Sequence, residues 1–82
     1  MTRAEIEQKL IAIVRQEKSV PEDLLAPDTV LADAGIDSLD ALTILFAIEE
    51  QFGISIPDTE ARAMKTFGDL TGIVAALVKA ED

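Results

Sequence analysis

The stretch GIDSLD, residues 35–40, places one serine between two acidic side chains at the expected start of a helix. Ser38 directly follows Asp37 and lies two positions before Asp40. A serine nucleophile needs a neighbouring base, but the chain has no histidine, and residues 19–61 contain no lysine or arginine. Hydrolase chemistry is therefore disfavoured. Two interpretations stay open: a structural residue at the helix start, or an acceptor for a group that another enzyme adds.

The start of a helix suits a phosphate-linked group, because its first backbone N–H groups are free and the helix dipole is positive there. The aspartates beside Ser38 would push such a group away from the surface, which suits a mobile carrier arm. A calcium site is not expected, because DAGIDSLD, beginning at Asp33, lacks the EF-hand order of ligands. No other metal site is predicted.

Composition limits the class of protein. The chain has 82 residues, of which 49% are hydrophobic, so we expect a single domain, residues 1–82, with one core. The absence of cysteine and histidine excludes disulfides, soft-metal sites and triads that use a histidine base. No apolar run is long enough to span a bilayer, and the N-terminus lacks a signal peptide pattern. We therefore predict a soluble, cytoplasmic protein. We also expect it to be a monomer.

Negative charge is concentrated in the middle of the chain. The formal net charge is −9, and residues 19–61 contain ten acidic side chains and no basic one. Charge of this sign opposes binding to nucleic acid or to an anionic membrane surface. We expect partners with basic surfaces.

The pattern of capping and apolar residues predicts an all-α fold, a small four-helix bundle with no sheet. The expected helices cover residues 3–17, 38–52, 59–64 and 67–80. Capping-box pairs start the three longer helices: Thr2 with Glu5, Asp37 with Asp40, and Thr66 with Asp69. Asp58 is expected to cap the short helix. A long loop, residues 18–36, has apolar anchors at Val20, Leu24, Leu25, Val30, Leu31 and Ile36.

The second helix has more apolar surface than one core face needs. Its expected core face consists of Ala41, Ile44, Leu45, Ile48 and Phe52. Leu39, Leu42 and Phe46 extend the apolar arc beyond that face. Either the helix is buried nearly all round, or this extension is a docking patch.

GIDSLD followed by ALTILFAIEEQFGISIPD closely resembles the acyl carrier proteins, and the resemblance covers nearly the whole chain. It implies that Ser38 carries 4'-phosphopantetheine, added by a phosphopantetheinyl transferase from coenzyme A. The protein would not be an enzyme. It would hold acyl groups as thioesters and present them to partner enzymes of fatty acid, polyketide or specialised lipid biosynthesis. The arm would also supply the thiol that the chain lacks.

The resemblance also implies two surfaces. The docking surface, which would meet basic patches on partner enzymes, would consist of Asp37, Leu39, Asp40, Leu42, Phe46, Glu49 and Glu50. The acyl pocket would be lined by Ile44, Leu45, Ile48, Ile56, Ala61, Met64 and Leu77.

Some residues depart from the pattern of many fatty-acid carriers. Thr43 replaces an acidic residue, Phe46 is bulkier than usual, and the short third helix carries Arg62 and Lys65. These departures count against a role in housekeeping fatty-acid synthesis and leave open a specialised pathway, such as polyketide, unusual lipid or aminoacyl transfer. Asp37, where peptidyl carriers usually have histidine, argues against a peptide-synthetase role. The alternative is a small acidic interaction or regulatory module in which Ser38 only starts a helix.

Overall fold

The computed structural model describes residues 1–81, which form four α-helices and two short 3-10 turns. The helices are α1 Arg3–Glu17, α2 Ser38–Phe52, α3 Asp58–Ala63 and α4 Phe67–Val78. The 3-10 turns are Glu22–Leu24 and Leu31–Ala34 in the long loop. The only strand-like pairing across residues 1–81 is an isolated antiparallel bridge between Val30 and Thr66. The predicted all-α bundle is confirmed.

The three longer helices start as their capping pairs predict. At α1, the Glu5 N–H donates to Thr2 Oγ1 at 3.2 Å, and the Glu5 carboxylate accepts from the Thr2 N–H at 2.8 Å. Thr66 and Asp69 form the same reciprocal pair at α4. Each pair satisfies donors that the first helical turn would leave unbonded.

The start of α3 differs from the prediction. Asp58 is the first helical residue, and the preceding Pro57 occupies the cap position without a side-chain hydrogen bond. The N–H groups of Glu60 and Ala61 donate to the Pro57 carbonyl at 3.1 and 3.0 Å, so the backbone itself starts this helix. Asp58 then adds negative charge to the first turn, where the helix dipole favours it. The helix covers residues 58–63 and not 59–64.

The end of α4 also differs, because the helix stops two residues before the predicted residue 80. Lys79 adopts a left-handed backbone conformation with φ of 57°. This turns the chain, and the Ala80 N–H donates back to the Ala75 carbonyl at 2.9 Å. Such a hydrogen bond is typical of a helix terminus.

The core lies where α1 packs against both α2 and α4. The largest fully buried side chains come from these three helices: Phe67, Ile6, Leu10, Ile48, Leu70, Val14 and Val74. The short α3 lies beside this core, with its Ala61 only half-buried against it. Consequently an open cleft remains between α3 and the start of α2.

The long loop is attached to the N-terminus of α4 through backbone hydrogen bonds. The Phe67 N–H donates to the Thr29 carbonyl at 2.9 Å, and the Gly68 N–H donates to the Pro27 carbonyl at 2.8 Å. These are donors that a helix start cannot satisfy internally. The loop carbonyls therefore complete α4 while α4 holds the loop in place.

Four of the six expected apolar anchors of the loop are buried: Val20, Leu25, Leu31 and Ile36. The expectation is wrong for Leu24 and Val30, whose exposed fractions are 45% and 39%. Leu24 lies in the first 3-10 turn, and Val30 lies at the bridge to Thr66. At both positions backbone hydrogen bonds, and not burial of the side chain, hold the loop.

Gly68 and Gly72 provide a matched test of the contact between the loop and α4. A Cβ atom at Gly68 would lie 2.6 Å from the Pro27 carbonyl oxygen, so we expect Gly68→Ala to lower the free energy of unfolding by about 1–3 kcal/mol. At Gly72 the nearest atom, Arg3 Nη2, would be 3.7 Å away, and Gly72→Ala should raise the free energy of unfolding by about 0.5–1 kcal/mol. Urea unfolding of both variants measures the difference; equal effects would contradict the close approach.

Candidate functional site

Ser38 is the first residue of α2, and its side chain is exposed. The chain reaches it through Gly35, which has a left-handed φ of 86° and ends the second 3-10 turn. Ile36 then turns inward and is only 4% exposed. This turn and this anchor place the next residues, Asp37 and Ser38, at the surface at the helix start.

Asp37, and not Ser38, caps α2. The Asp40 N–H donates to Asp37 Oδ1 at 2.8 Å, and the Asp37 N–H donates to Asp40 Oδ2 at 3.4 Å. The Ser38 hydroxyl makes no hydrogen bond to any residue from 1 to 81. The structural role that a serine commonly has at this position is therefore filled by its neighbour.

The first two backbone N–H groups of α2, from Ser38 and Leu39, also lack partners within the described part of the chain. Unbonded N–H groups at a helix N-terminus favour a phosphate. The exposed hydroxyl and these donors together fit a serine that bears a phosphate-linked group.

Lys18 was not among the site residues predicted from the sequence, but it contacts the start of α2 directly. Its Nζ lies 2.8 Å from Asp40 Oδ2, so the residue at the end of α1 is paired with the first turn of α2. The hydrogen bond to Lys18 is the main reason that the pKa of Asp40 is lowered, with the Asp37 N–H adding to it. The same hydrogen bond raises the pKa of Lys18. One acid of the central segment is therefore already neutralised.

The apolar extension of α2 lies on the surface. Leu39, Leu42 and Phe46 are 75%, 49% and 64% exposed, while Ile44, Leu45 and Ile48 on the opposite side are buried. The alternative of a helix buried all round is therefore wrong. A row of three large exposed apolar side chains on one helix is typical of a surface that a partner covers.

The four acids of the expected docking surface differ in how much of their carboxylate is free. Glu49 is half-buried, and its Oε2 accepts from the Ile56 N–H at 2.7 Å, which holds the segment after α2. Asp40 is bonded to Lys18, as described above, and Asp37 caps the helix while remaining exposed. Glu50 is exposed and makes no hydrogen bond or ion pair with residues 1–81.

Ser38 stands at the edge of an open cleft of about 710 Å³. Three of the seven residues expected to line an acyl pocket line this cleft: Leu45, Ala61 and Met64. The other four lie elsewhere, with Ile44 and Ile48 in the core and Ile56 and Leu77 half-buried. Whether these four contact a cargo stays a prediction. Another groove, of about 800 Å³, runs along α1 and includes no residue of α2.

Sequence reasoning missed several residues of the cleft that come from the loop and from α3 and its flank: Val30, Leu31, Ala32, Ile36, Asp58, Arg62 and Lys65. The apolar residues of the loop, Val30, Leu31 and Ile36, could have indicated this part of the cleft wall from the sequence. Two further findings concern the whole described chain. Residues 1–81 contain no group of three or more acids placed to hold a metal ion, and no helix among them is long and apolar enough to cross a membrane.

We predict that Lys18→Gln returns the pKa of Asp40 toward its ordinary value. A carboxylate whose pKa is lowered by folding stabilises the fold above its unfolded pKa and loses this effect as the pH falls through the folded value. The variant should therefore lose less stability than the wild type when the pH falls below about 4. Asp69 is an internal control, because the N–H groups of Lys65 and Thr66 lower its pKa. Carboxyl NMR titration checks both; an unchanged Asp40 would contradict the ion pair.

Comparison with known proteins identifies the family of this chain. Residues 8–74 match the family described as the phosphopantetheine attachment site. An acyl carrier protein of Thermosynechococcus vestitus is 39% identical over 90% of this chain and 93% of its own length. One from Syntrophobacter fumaroxidans is 32% identical over 92% of this chain and 94% of its own. A mitochondrial acyl carrier protein of Dictyostelium discoideum is 43% identical over 74% of this chain, which matches 51% of that longer protein. The chain therefore belongs to the acyl carrier protein family, whose members carry a 4'-phosphopantetheine group and are carriers rather than enzymes.

Proposed function

We propose that Ser38 is the attachment site of the 4'-phosphopantetheine arm and that the protein presents acyl thioesters to partner enzymes. The observation that carries this proposal is the exposed Ser38 hydroxyl, which has no hydrogen-bond partner among residues 1–81, at a helix start capped by Asp37. The arm supplies the thiol that forms the thioester, since the chain has no cysteine. The protein itself supplies the position, the charge and the cleft.

Attachment requires a partner enzyme, because Ser38 has no base of its own. In the transfer, Ser38 Oγ forms a bond to the phosphorus next to the pantetheine half of coenzyme A, and the pyrophosphate bond to the nucleotide half breaks. The hydroxyl proton must pass to a base. The chain has no histidine, and no carboxylate among residues 1–81 accepts a hydrogen bond from this hydroxyl. The base therefore belongs to the phosphopantetheinyl transferase.

Partner enzymes dock on the exposed face of α2. Leu39, Leu42 and Phe46 supply apolar contact area, and Asp37 and Glu50 supply exposed carboxylates for basic patches on the partner. Charge of this kind mainly guides the encounter, whereas large apolar side chains at the centre of an interface supply most of the affinity. Asp40 and Glu49 contribute less, because both are half-buried, Lys18 is paired with Asp40, and the Glu49 carboxylate is bonded to the Ile56 N–H.

The pathway that we favour is a specialised one, such as polyketide or unusual lipid synthesis, over housekeeping fatty-acid synthesis. Thr43 supports this, because its hydroxyl donates to the Leu39 carbonyl of its own helix at 3.2 Å and adds no charge to the docking surface. The bulky exposed Phe46 and the cations Arg62 and Lys65 support it as well. A partner enzyme that binds a more acidic carrier would find fewer carboxylates and a larger apolar side chain on this surface.

A single carrier domain of residues 1–82, working as a monomer in the cytoplasm, completes the proposal. One continuous core joins α1, α2, α4 and the loop, which supports the single domain. The names of related proteins include mitochondrial and chloroplastic forms, so the cytoplasmic location rests on the sequence alone.

The attachment site is tested by intact mass after incubation with coenzyme A and a broad-specificity phosphopantetheinyl transferase. We expect one arm on the wild type, none on Ser38→Ala, and one on the control Ser55→Ala, which removes another exposed serine. Because Asp37 caps the helix, Ser38→Ala should change the free energy of unfolding by less than about 0.5 kcal/mol. A Ser38→Ala protein that still gains an arm would refute the assignment. A loss of about 0.5–2 kcal/mol without any wild-type modification would favour the purely structural role.

The docking face is tested by Phe46→Ala in a kinetic assay of the same transferase. The side chain is 64% exposed, so the fold should be unaffected, and the loss of buried apolar contact should lower kcat/KM about tenfold. Leu24→Ala is the matched control, because it removes another exposed apolar side chain, 45% exposed, far along the chain from α2. Equal effects of the two substitutions, or none from Phe46→Ala, would show that partners bind elsewhere.

A further inference from the structure

Two cations line the same cleft as Ser38. Arg62, in the last turn of α3, and Lys65, just after it, form part of the wall that faces the start of α2. They lie in the acidic environment of a chain with net charge −9, and the attachment of the arm does not require them. Their position within the cleft needs a separate explanation.

Neither cation is neutralised by an ion pair within residues 1–81. Ion pairs in this region include those of the N-terminus with Glu81, Arg15 with Glu22, and Lys18 with Asp40, and none involves Arg62 or Lys65. Arg62 and Lys65 are both exposed. Lys65 is close enough to Asp69 to help lower the pKa of that carboxyl, and Asp58 also lines the cleft. The cleft wall thus holds two basic side chains and one acidic one.

The backbone of Lys65 is held from both sides, which places its side chain beside the cleft. Its carbonyl accepts from the Leu31 N–H at 2.9 Å, and its N–H donates to Asp69 Oδ2 at 3.0 Å. Leu31 belongs to the loop that leads to Ser38 and lines the cleft as well. The backbone of Lys65 and the chain that leads to Ser38 are therefore held by the same loop segment.

The remainder of the cleft wall is largely apolar. Its apolar members include Leu31, Ile36, Ala41, Leu45, Ala61 and Met64. An apolar interior with two cations at one wall suits a ligand that combines a hydrocarbon or amide chain with an anionic group. Arginine and lysine recognise phosphate and carboxylate oxygens by charge-assisted hydrogen bonds.

We propose that Arg62 and Lys65 form an anion-binding rim of the Ser38 cleft that holds an oxyanion carried on the arm. This rests on the proposed attachment of the arm to Ser38. Two anions have the required chemistry: the phosphodiester that links the arm, and the terminal carboxylate of a dicarboxylic acyl cargo. Asp37 and Asp40 are near Ser38 at the start of α2 but do not line the cleft, so the rim supplies positive charge that offsets their repulsion of either anion.

The test compares Arg62→Gln/Lys65→Gln with Lys9→Gln/Lys79→Gln, which removes the same charge from exposed residues outside the cleft. Each protein is prepared in four states: without the arm, with the free arm, with a neutral acyl group, and with a carboxy-terminated acyl group of equal length. Intact mass verifies each state, and Tm is measured at low salt. The side-chain Nε–H signal of Arg62 in the wild type is followed by NMR through the same states.

We expect the rim variant to lose about 2–4 °C more in Tm in the anion-bearing state than without the arm, because exposed charge contacts contribute modestly. This extra loss should disappear at about 1 M salt. If the extra Tm loss already appears with the free arm, the bound anion is the phosphodiester. If it appears only with the carboxy-terminated acyl group, the bound anion is the cargo carboxylate. The Arg62 signal should shift in the same state.

Equal Tm losses in loaded and unloaded forms, or losses matching those of the control variant, together with an unmoved Arg62 signal, overturn the rim while leaving the attachment site intact. A wild type that gains no mass overturns both proposals. The two failures are distinguished because mass is read before Tm.

Discussion

The hydrogen bonds between the long loop and the N-terminus of α4 are the constraint on which the site depends. A helix start has donors that it cannot satisfy itself, and the carbonyls of Pro27 and Thr29 accept them here. The approach is so close that only glycine fits at position 68. Because the loop is held there, its second 3-10 turn can bury Ile36 and deliver the chain to the start of α2. The position of Ser38 is therefore set in part by the contact between the loop and the start of α4.

At the start of α2, one residue caps the helix and the next presents an exposed hydroxyl. Asp37 and Asp40 satisfy each other's backbone donors, and Lys18 joins α1 to this pair. If Ser38 were the cap, its hydroxyl would be engaged and modification would weaken the helix. With the cap one residue earlier, the hydroxyl can be esterified without loss of a helix-starting bond. The helix also keeps separate faces, with Ile48 in the core and Phe46 exposed.

The sequence predicted those features that depend on nearby residues. Capping pairs three positions apart, such as Thr66 with Asp69, are local and identify the helix starts correctly. Contacts between distant residues could not be predicted from such local patterns. Lys18 and Asp40, for example, are 22 positions apart in the sequence. The error at Asp58 has a local cause, because a proline carbonyl replaced the expected side-chain cap. The cleft was predicted in part. Leu45 was expected there and lies on the core face of a helix, whereas Leu31 comes from the loop, whose path the sequence did not predict.

The distribution of charge changes most between the sequence and the fold. Along the chain, residues 19–61 contain only acids, and Ser38 lies in the middle of them. In the fold, Lys18, which precedes that segment in the sequence, pairs with Asp40. Arg62 and Lys65, which follow the segment, line the cleft. Electrostatic interactions depend on distance in space and on local exposure. The start of α2 therefore lies between two surfaces of different charge. Its outer face has exposed apolar and acidic side chains, and the cleft on its other side is lined by two cations. Leu42 borders both, being 49% exposed and part of the cleft wall. A partner that covers the outer face, as proposed above, would therefore also contact the edge of the cleft.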